Sequence, residues 1–164
     1  MENKIILEPI GIIHTPYTEQ TGTLIQPRGA IGIKGEIEIF EKFKDGLTDI
    51  AGFYHIYVLY YFHKINEVSL KVKPFLDDCE HGIFSVRSPK RPNKIGLSVV
   101  RLIRVENNIL HIENVDMLNK TPVIDIKPYV PDFDIFDVEK IGWLDSKSQN
   151  CEKNKDDGRF TPKL

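Results

Sequence analysis

In the stretch AIGIKGEIEIF (30–40), Ile31 and Ile33, then Ile37 and Ile39, fall on one side of a pleat with polar partners opposite. A period of two cannot be laid on a helix of 3.6 residues per turn; it demands a strand with one buried face. The same pattern recurs along the chain. FYHIYVLYYFH (53–63) is aromatic and β-branched enough to be a central strand. IGIIHTPY (10–17), GIFSVR (82–87), LSVVRLIRV (97–105), ILHIENV (109–115) and VIDIKPYV (123–130) read as further short strands, with ENN (106–108) as a hairpin turn. Helix is sparse: a turn or two over 41–50, interrupted by Gly46, and a short helix at IFDVEKIGW within 134–147. Short strands joined by turn chemistry predict a mainly β, single-domain barrel or sandwich with a few short helices.

A length of 164 residues suits one domain with a real core. The boundary is expected near 145, because SKSQNCEKNKDDGRFTPKL (146–164) is polar and composed like a disordered tail. A net charge of −2 excludes polyanion binding by bulk charge, so a nucleic-acid role requires a local basic face. Cys79 and Cys151 are far apart and form no CxxC, which fits a reduced, cytoplasmic protein without a zinc ligand cluster; no metal is expected. No signal peptide and no apolar run of about 18 residues is visible, so no membrane span is predicted.

Three constellations carry chemistry. RSPKRPNKIG (87–96) holds Arg87, Lys90, Arg91 and Lys94 around two prolines. The prolines fix their own φ and push Ser88 and Arg91 towards extended backbone, so the loop is stiff. A stiff loop presents the Arg87 guanidinium as a fixed fork for carboxylate or phosphate, and an ordinary solvated loop is the competing reading. DMLNKTPVIDIKPYVP (116–131) sets Asp125 and Lys127 two apart, on one face of a strand, where a structural ion pair competes with catalysis. Among the histidines, His63 ends the proposed central strand at the rim where ligands are met, whereas His55 reads as a satisfied residue. His14, His81 and His111 have no partner at catalytic spacing.

Taken in order, IGIIHTPY, QPRGAIGIKGEIEI, GLTDIAGFYHIYVLYYFH, GIFSVRSPKRPNKIGLSVV and NKTPVIDIKPYVPDFD resemble the TsaA-like family, also called the TrmO family, over roughly residues 8–140. The RSPKRPN and DIKPYVP strings are the most specific. The resemblance implies a small β-barrel that acts as a homodimer, binds S-adenosylmethionine near the subunit contact, and methylates N6 of threonylcarbamoyladenosine next to the anticodon of tRNA. It places the cofactor on Gln26, Pro27 and Arg28, on His63 and Lys64, on Arg87, on Leu97, and on Asp116, Met117, Leu118 and Asn119. Position in the motif nominates Asp125 or His63 as the general base, with Lys127 and Tyr129 shaping the pocket.

Three departures from the family pattern stand out. Lys94 occupies a position where the family has proline, and Asn119-Lys120 stand where an acid and a glycine are common. The longer members' C-terminal domain is expected to be missing here. Two other functions therefore stay open: methylation of a small molecule or another acceptor, and a non-catalytic module that binds S-adenosylmethionine or a nucleotide. Lys90, Arg91, Lys94, Arg101 and Arg104 are the cations expected to form a basic face for RNA.

Overall fold

The computed structural model describes residues 4–19, 30–145 and Phe160. Among the described residues eight strands form: β1 (Gly11–His14), β2 (Lys34–Ile39), β3 (His55–Tyr61), β4 (Lys71–Val72), β5 (His81–Gly82), β6 (Ile95–Glu106), β7 (Ile109–Glu113) and β8 (Thr121–Pro128). Six of them close into a barrel in the order β1-β2-β7-β6-β3-β8, while β4 and β5 pair in a small separate sheet. All barrel pairings are antiparallel.

The alternation seen in the sequence is what fills the barrel. Ile37 and Ile39 of β2 point inward with Ile13, Ile56, Val58, Val100, Leu110, Ile112 and Val123, all fully or almost fully buried. Each such side chain removed from water contributes roughly 1.5–3 kcal/mol. The expected central strand sits between β6 and β8, and Asn107 makes the predicted hairpin between β6 and β7 with a left-handed φ of 55°. Between Leu59 and Tyr60 the β3–β8 register slips, so that Val123 faces the core opposite Tyr60 while Asp125, opposite Leu59, faces outward.

Several local expectations are corrected. Ile31 does not share the face of Ile37; it lies in a turn and is 77% exposed. GIFSVR is not a strand beyond Gly82: a 3-10 turn spans Ile83–Ser85, so Arg87 does not end a strand. The cause is competition for the backbone. Ser85 Oγ donates to the Gly82 carbonyl, and the Arg91 guanidinium takes the carbonyls of Ile83 and Val86 at 3.1 and 2.6 Å. These carbonyls are then engaged outside any ladder. The last helix begins earlier than expected, as α1 (Pro131–Asp134). Pro131 starts it with a preset φ, and the Asp134 carboxylate accepts the Val130 N–H at 2.7 Å; a 3-10 turn follows at Gly142–Leu144.

The two ends of the barrel differ. At one, 3-10 turns over Glu41–Leu47 and Ile50–Gly52 lay Phe43, Leu47 and Ile50 against the core, and the Asn107–Asn108 hairpin is tied down by Asn108 Nδ2 donating to the Ile39 carbonyl. The other end is built of the loops that enter β6 and β8 and leave β1 and β3. A second small cluster packs Val72 and Ile83 with Phe160, whose ring meets Phe75 at 5.0 Å. The rest of the 146–164 tail lies outside the described residues, as do Gln26, Pro27 and Arg28.

Candidate active site

The loop-built end, here called the mouth, carries His63, Lys64, Arg87 and the run 116–119 of the nominated residues. His63 follows β3, with its Nδ1 3.4 Å from the hydroxyl of Thr121 at the start of β8. The Phe62 N–H donates to the Lys94 carbonyl, which joins the proline-rich loop to the same strand end. Asn119 braces the β7–β8 link against β1. Its backbone N–H donates to the Tyr17 carbonyl at 2.7 Å, and its side-chain oxygen accepts the Thr15 N–H at 3.2 Å. Met117 is 1% exposed, so its side chain belongs to the core, while its carbonyl accepts the Thr15 hydroxyl.

Asp116 lies at the centre. The hydroxyl of Ser98, buried on the inner face of β6, donates to Asp116 Oδ1 at 2.7 Å. The Tyr60 hydroxyl lies 3.2 Å from Ser98 Oγ. Burial pushes the Asp116 carboxyl up to about 6, opposed by the Ser98 hydrogen bond, by its own backbone N–H and by the positive charge of Arg87. Tyr60 is pushed well above the ordinary phenol range, by burial first and then by the Asp116 charge. Tyr17 is also raised, by burial and then by Asp116. Arg87 itself is exposed, at the edge of this group.

His63 is shifted the other way. Burial lowers its pKa, Lys64 lowers it further, and the Tyr61 carbonyl partly opposes both. A neutral imidazole at pH 7 has a nitrogen able to accept a proton.

Asp125, Lys127 and Tyr129 do not join this group. Asp125 lies opposite Leu59, which in turn faces Leu97, so the three form one row across the outer face of the wall. Its carboxylate is bound to Lys127 Nζ at 2.8 Å and accepts the Ile126 N–H. At about 3.3 Å per residue, Asp125 stands about 13 Å along β8 from Thr121. Tyr129 is further still, beside His55 and Tyr57 at ring separations of 6.0 and 5.5 Å.

The other histidines have partners that the sequence spacing did not reveal. His14 pairs with Glu38, His111 with Glu36 and Glu106, and His81 with Asp77, stacked on Trp143 at 4.5 Å. None of them joins the mouth group. An open depression lined by Glu67, Lys71, Asp78 and Lys90 also shares no residue with it.

The expected basic face is largely neutralised. Lys90 pairs with Glu67 at 2.6 Å, Arg101 with Glu113 at 3.0 Å and Arg104 with Glu106 at 2.8 Å, while Arg91 is turned onto backbone carbonyls. Lys94 adopts φ 47° and Lys120 φ 63°. The first is closed to proline, the residue the family pattern has there. The second is the left-handed region that glycine enters most easily, and glycine is the residue Lys120 replaces.

Tyr60, Ser98, Tyr17 and Thr121 were not singled out from the sequence. One signal was available: Gly96 faces Tyr60 across the β3–β6 ladder, and a Cβ there would overlap the Tyr60 ring. A glycine opposite a strand aromatic marks a ring lying flat on the backbone.

The chain is thus a closed six-stranded antiparallel barrel that carries an acid, a guanidinium and a histidine at one mouth. The family described as the tRNA-methyltransferase O N-terminal domain matches residues 12–135, and the chain belongs to it. It is 47% identical over 156 residues to a probable S-adenosyl-L-methionine-binding protein of Pyrococcus abyssi, covering 95% of this chain and 85% of that one. It is 35% identical over 139 residues to the human tRNA (adenine(37)-N6)-methyltransferase, covering 79% of this chain but 31% of the human protein. The crystal structure of TrmO from Pseudomonas aeruginosa superposes with a TM-score of 0.75 at 33% identity, over 88% of this chain and 65% of that one. The chain thus spans about a third of the human methyltransferase and just under two thirds of the bacterial one.

Proposed function

We propose that this chain is an S-adenosylmethionine-dependent methyltransferase whose acceptor is N6 of threonylcarbamoyladenosine beside the tRNA anticodon. The observation that carries the reading is the meeting of Asp116, Arg87, His63 and Asn119 at one barrel mouth within a chain of this family. The donor set suits the cofactor. A carboxylate answers an ammonium, a guanidinium answers a carboxylate, and Leu118 offers apolar cover, whereas Leu97 stands on the outer wall beside Leu59. Lys64 would add to the cationic side, and the Met117 backbone completes the link that holds Asp116. Gln26, Pro27 and Arg28 join the cofactor site on the strength of the resemblance.

The cofactor, when bound, supplies an electrophilic methyl group on a sulfonium. The residues around it have three tasks. Asp116 and Arg87 fix the amino-acid tail, so that most of the rate arises from placing acceptor and methyl in line. Leu118 helps to keep water from the reacting atoms. His63 takes the proton that the acceptor nitrogen must lose. His63 is better placed for this than Asp125, whose carboxylate is engaged by Lys127 on the outer wall. Lys127 and Tyr129 lie on that wall and beyond it, away from the mouth, and take no part in the cofactor site of this reading.

The same reading makes the protein a cytoplasmic homodimer. A second copy would cover Phe133, Ile135, Phe136 and Val138, which are 63–77% exposed. Sedimentation velocity finding only monomer would remove that part. Among the described residues no helix is long and apolar enough to cross a membrane.

The test is transfer of labelled methyl to tRNA with and without the threonylcarbamoyl group. Label only on the modified tRNA supports the reading, and no label on either overturns it. His63→Gln is expected to cut turnover at saturating cofactor by about a hundredfold or more while leaving cofactor affinity within about twofold. Equal losses in both would make His63 a binding residue. The paired cations favour a second reading, a small-molecule acceptor. If binding to tRNA is weak and unaffected between about 50 and 200 mM salt, that reading replaces the first.

A further inference from the structure

Ser98 and Tyr60 form a chain of hydroxyls that ends on Asp116. A serine hydroxyl has one proton. At 2.7 Å from a carboxylate oxygen, which can only accept, Ser98 must spend that proton on Asp116. The proton in the Tyr60–Ser98 contact, at 3.2 Å, is therefore the phenol's. The donation runs one way, from Tyr60 to Ser98 to Asp116.

Both hydroxyls are buried: Ser98 is 2% and Tyr60 7% exposed. Tyr60 is held in turn by its ring. Gly96 has no Cβ to lift the ring off β6, and Phe62 packs edge-on at 5.4 Å. A buried serine and a buried tyrosine add polar groups to a barrel filled mainly by aliphatic side chains, where an apolar pair would pack without needing partners. Their position makes sense if the carboxylate they serve must be held in one orientation.

We propose that Ser98, aligned by Tyr60, is a positioning residue: it pins Oδ1 of Asp116 and so turns the remaining carboxylate oxygen towards a cationic ligand at the barrel mouth. This rests on the reading of the mouth as the cofactor site, with the ammonium of S-adenosylmethionine as the ligand group. Among the described residues, the charged and titratable groups facing Asp116 are Arg87 from the loop before β6, Tyr60 from β3 and Tyr17 from the segment after β1. Only Arg87 among them is cationic near neutral pH, so the hydroxyl chain carries much of the burden of keeping the buried carboxylate ionised. Removing it favours the protonated form.

The experiment measures two quantities in the full chain. The first is the midpoint of the Asp116 carboxyl by carbon-13 NMR in the protein without cofactor. The second is the affinity for S-adenosylmethionine by calorimetry from pH 5.5 to 8.5. Ser98→Ala is expected to raise the midpoint by about one pH unit, as loss of a hydrogen bond to a charged group implies. Affinity should then fall about fivefold at pH 6 beyond any pH-independent loss, with the two proteins converging towards pH 8.5. Tyr60→Phe should shift the midpoint in the same direction by less, and Ser98→Thr should restore it.

An unchanged midpoint in both Ser98→Ala and Tyr60→Phe overturns the proposal. So does an affinity loss of equal size at every pH, which would mark a merely structural role. If Ser98→Ala fails to fold, Tyr60→Phe, which keeps the ring, decides alone. If the midpoint moves as expected but neither protein binds S-adenosylmethionine at any pH, the pinning of Asp116 stands and the cofactor reading of the mouth falls.

Discussion

The closed end of the barrel and its mouth use the same materials to opposite effect. At the closed end the chain reverses through Asn107, a residue that tolerates left-handed backbone, and Phe43, Leu47 and Ile50 pack on the core. At the mouth, lysines occupy left-handed positions at 94 and 120, and a carboxyl is sunk in a place that raises its pKa. One end is arranged for stability. The other tolerates conformations and charges that stability alone would not favour, the pattern expected of a functional site.

Breaking this contrast should start with Asp116. Its folded pKa of about 6 exceeds the ordinary 3.8, so the folded state binds the proton more tightly than the unfolded chain does. Stability from this group is full below about pH 3.8 and is lost as pH rises through about 6. At roughly 1.4 kcal/mol per unit, Asp116→Asn should be more stable than the parent by up to about 3 kcal/mol at pH 8, with the gap closing by pH 4. Urea unfolding at the two pH values measures it; a gap independent of pH would show that Asp116 titrates normally.

Next comes the glycine pair. Gly96→Ala puts a methyl group into the Tyr60 ring and should cost about 2 kcal/mol, whereas Gly46→Ala, with open space around it, should stay within about 0.5 kcal/mol. Matching denaturation midpoints for the two variants would mean that the ring yields easily. The smallest effect is expected from the turns. Lys120→Gly relieves a left-handed lysine and should gain up to about 1 kcal/mol after the entropy cost of glycine. Asn107→Gly should change stability by only a few tenths. Thermal melts that rank these two the other way would contradict the assignment of strain to the mouth.

The barrel wall was legible in the sequence because alternation is a local property: Ile37 and Ile39, or Ile56 and Val58, face inward wherever the strand goes. The hairpin at Asn107 was legible for the same reason. GIFSVR misled because nothing local reveals that Arg91 will take the carbonyls of Ile83 and Val86. The basic face misled because a count of cations does not show Glu67, Glu113 and Glu106 waiting on neighbouring segments. At the mouth, Asp116, Arg87 and His63 stood out through the family's motifs. Ser98 and Tyr60 sit inside strands where a hydroxyl looks like any inward or outward residue, and only the register that sets Tyr60 against Gly96 gives them a role.

The seam that closes the barrel joins β1 to β8, with Gly11 opposite Val123. Everything between these residues must be in place, or nearly so, before the seam can form, and a chain emerging from the ribosome holds its first strand unpaired on one side until almost the whole domain has been made. Contacts so distant in sequence slow folding towards the millisecond-to-second range of β-barrels. The N-terminal strand GIIH is therefore the segment most exposed to wrong pairing during synthesis, although in the finished barrel it has hydrogen-bonded neighbours on both sides.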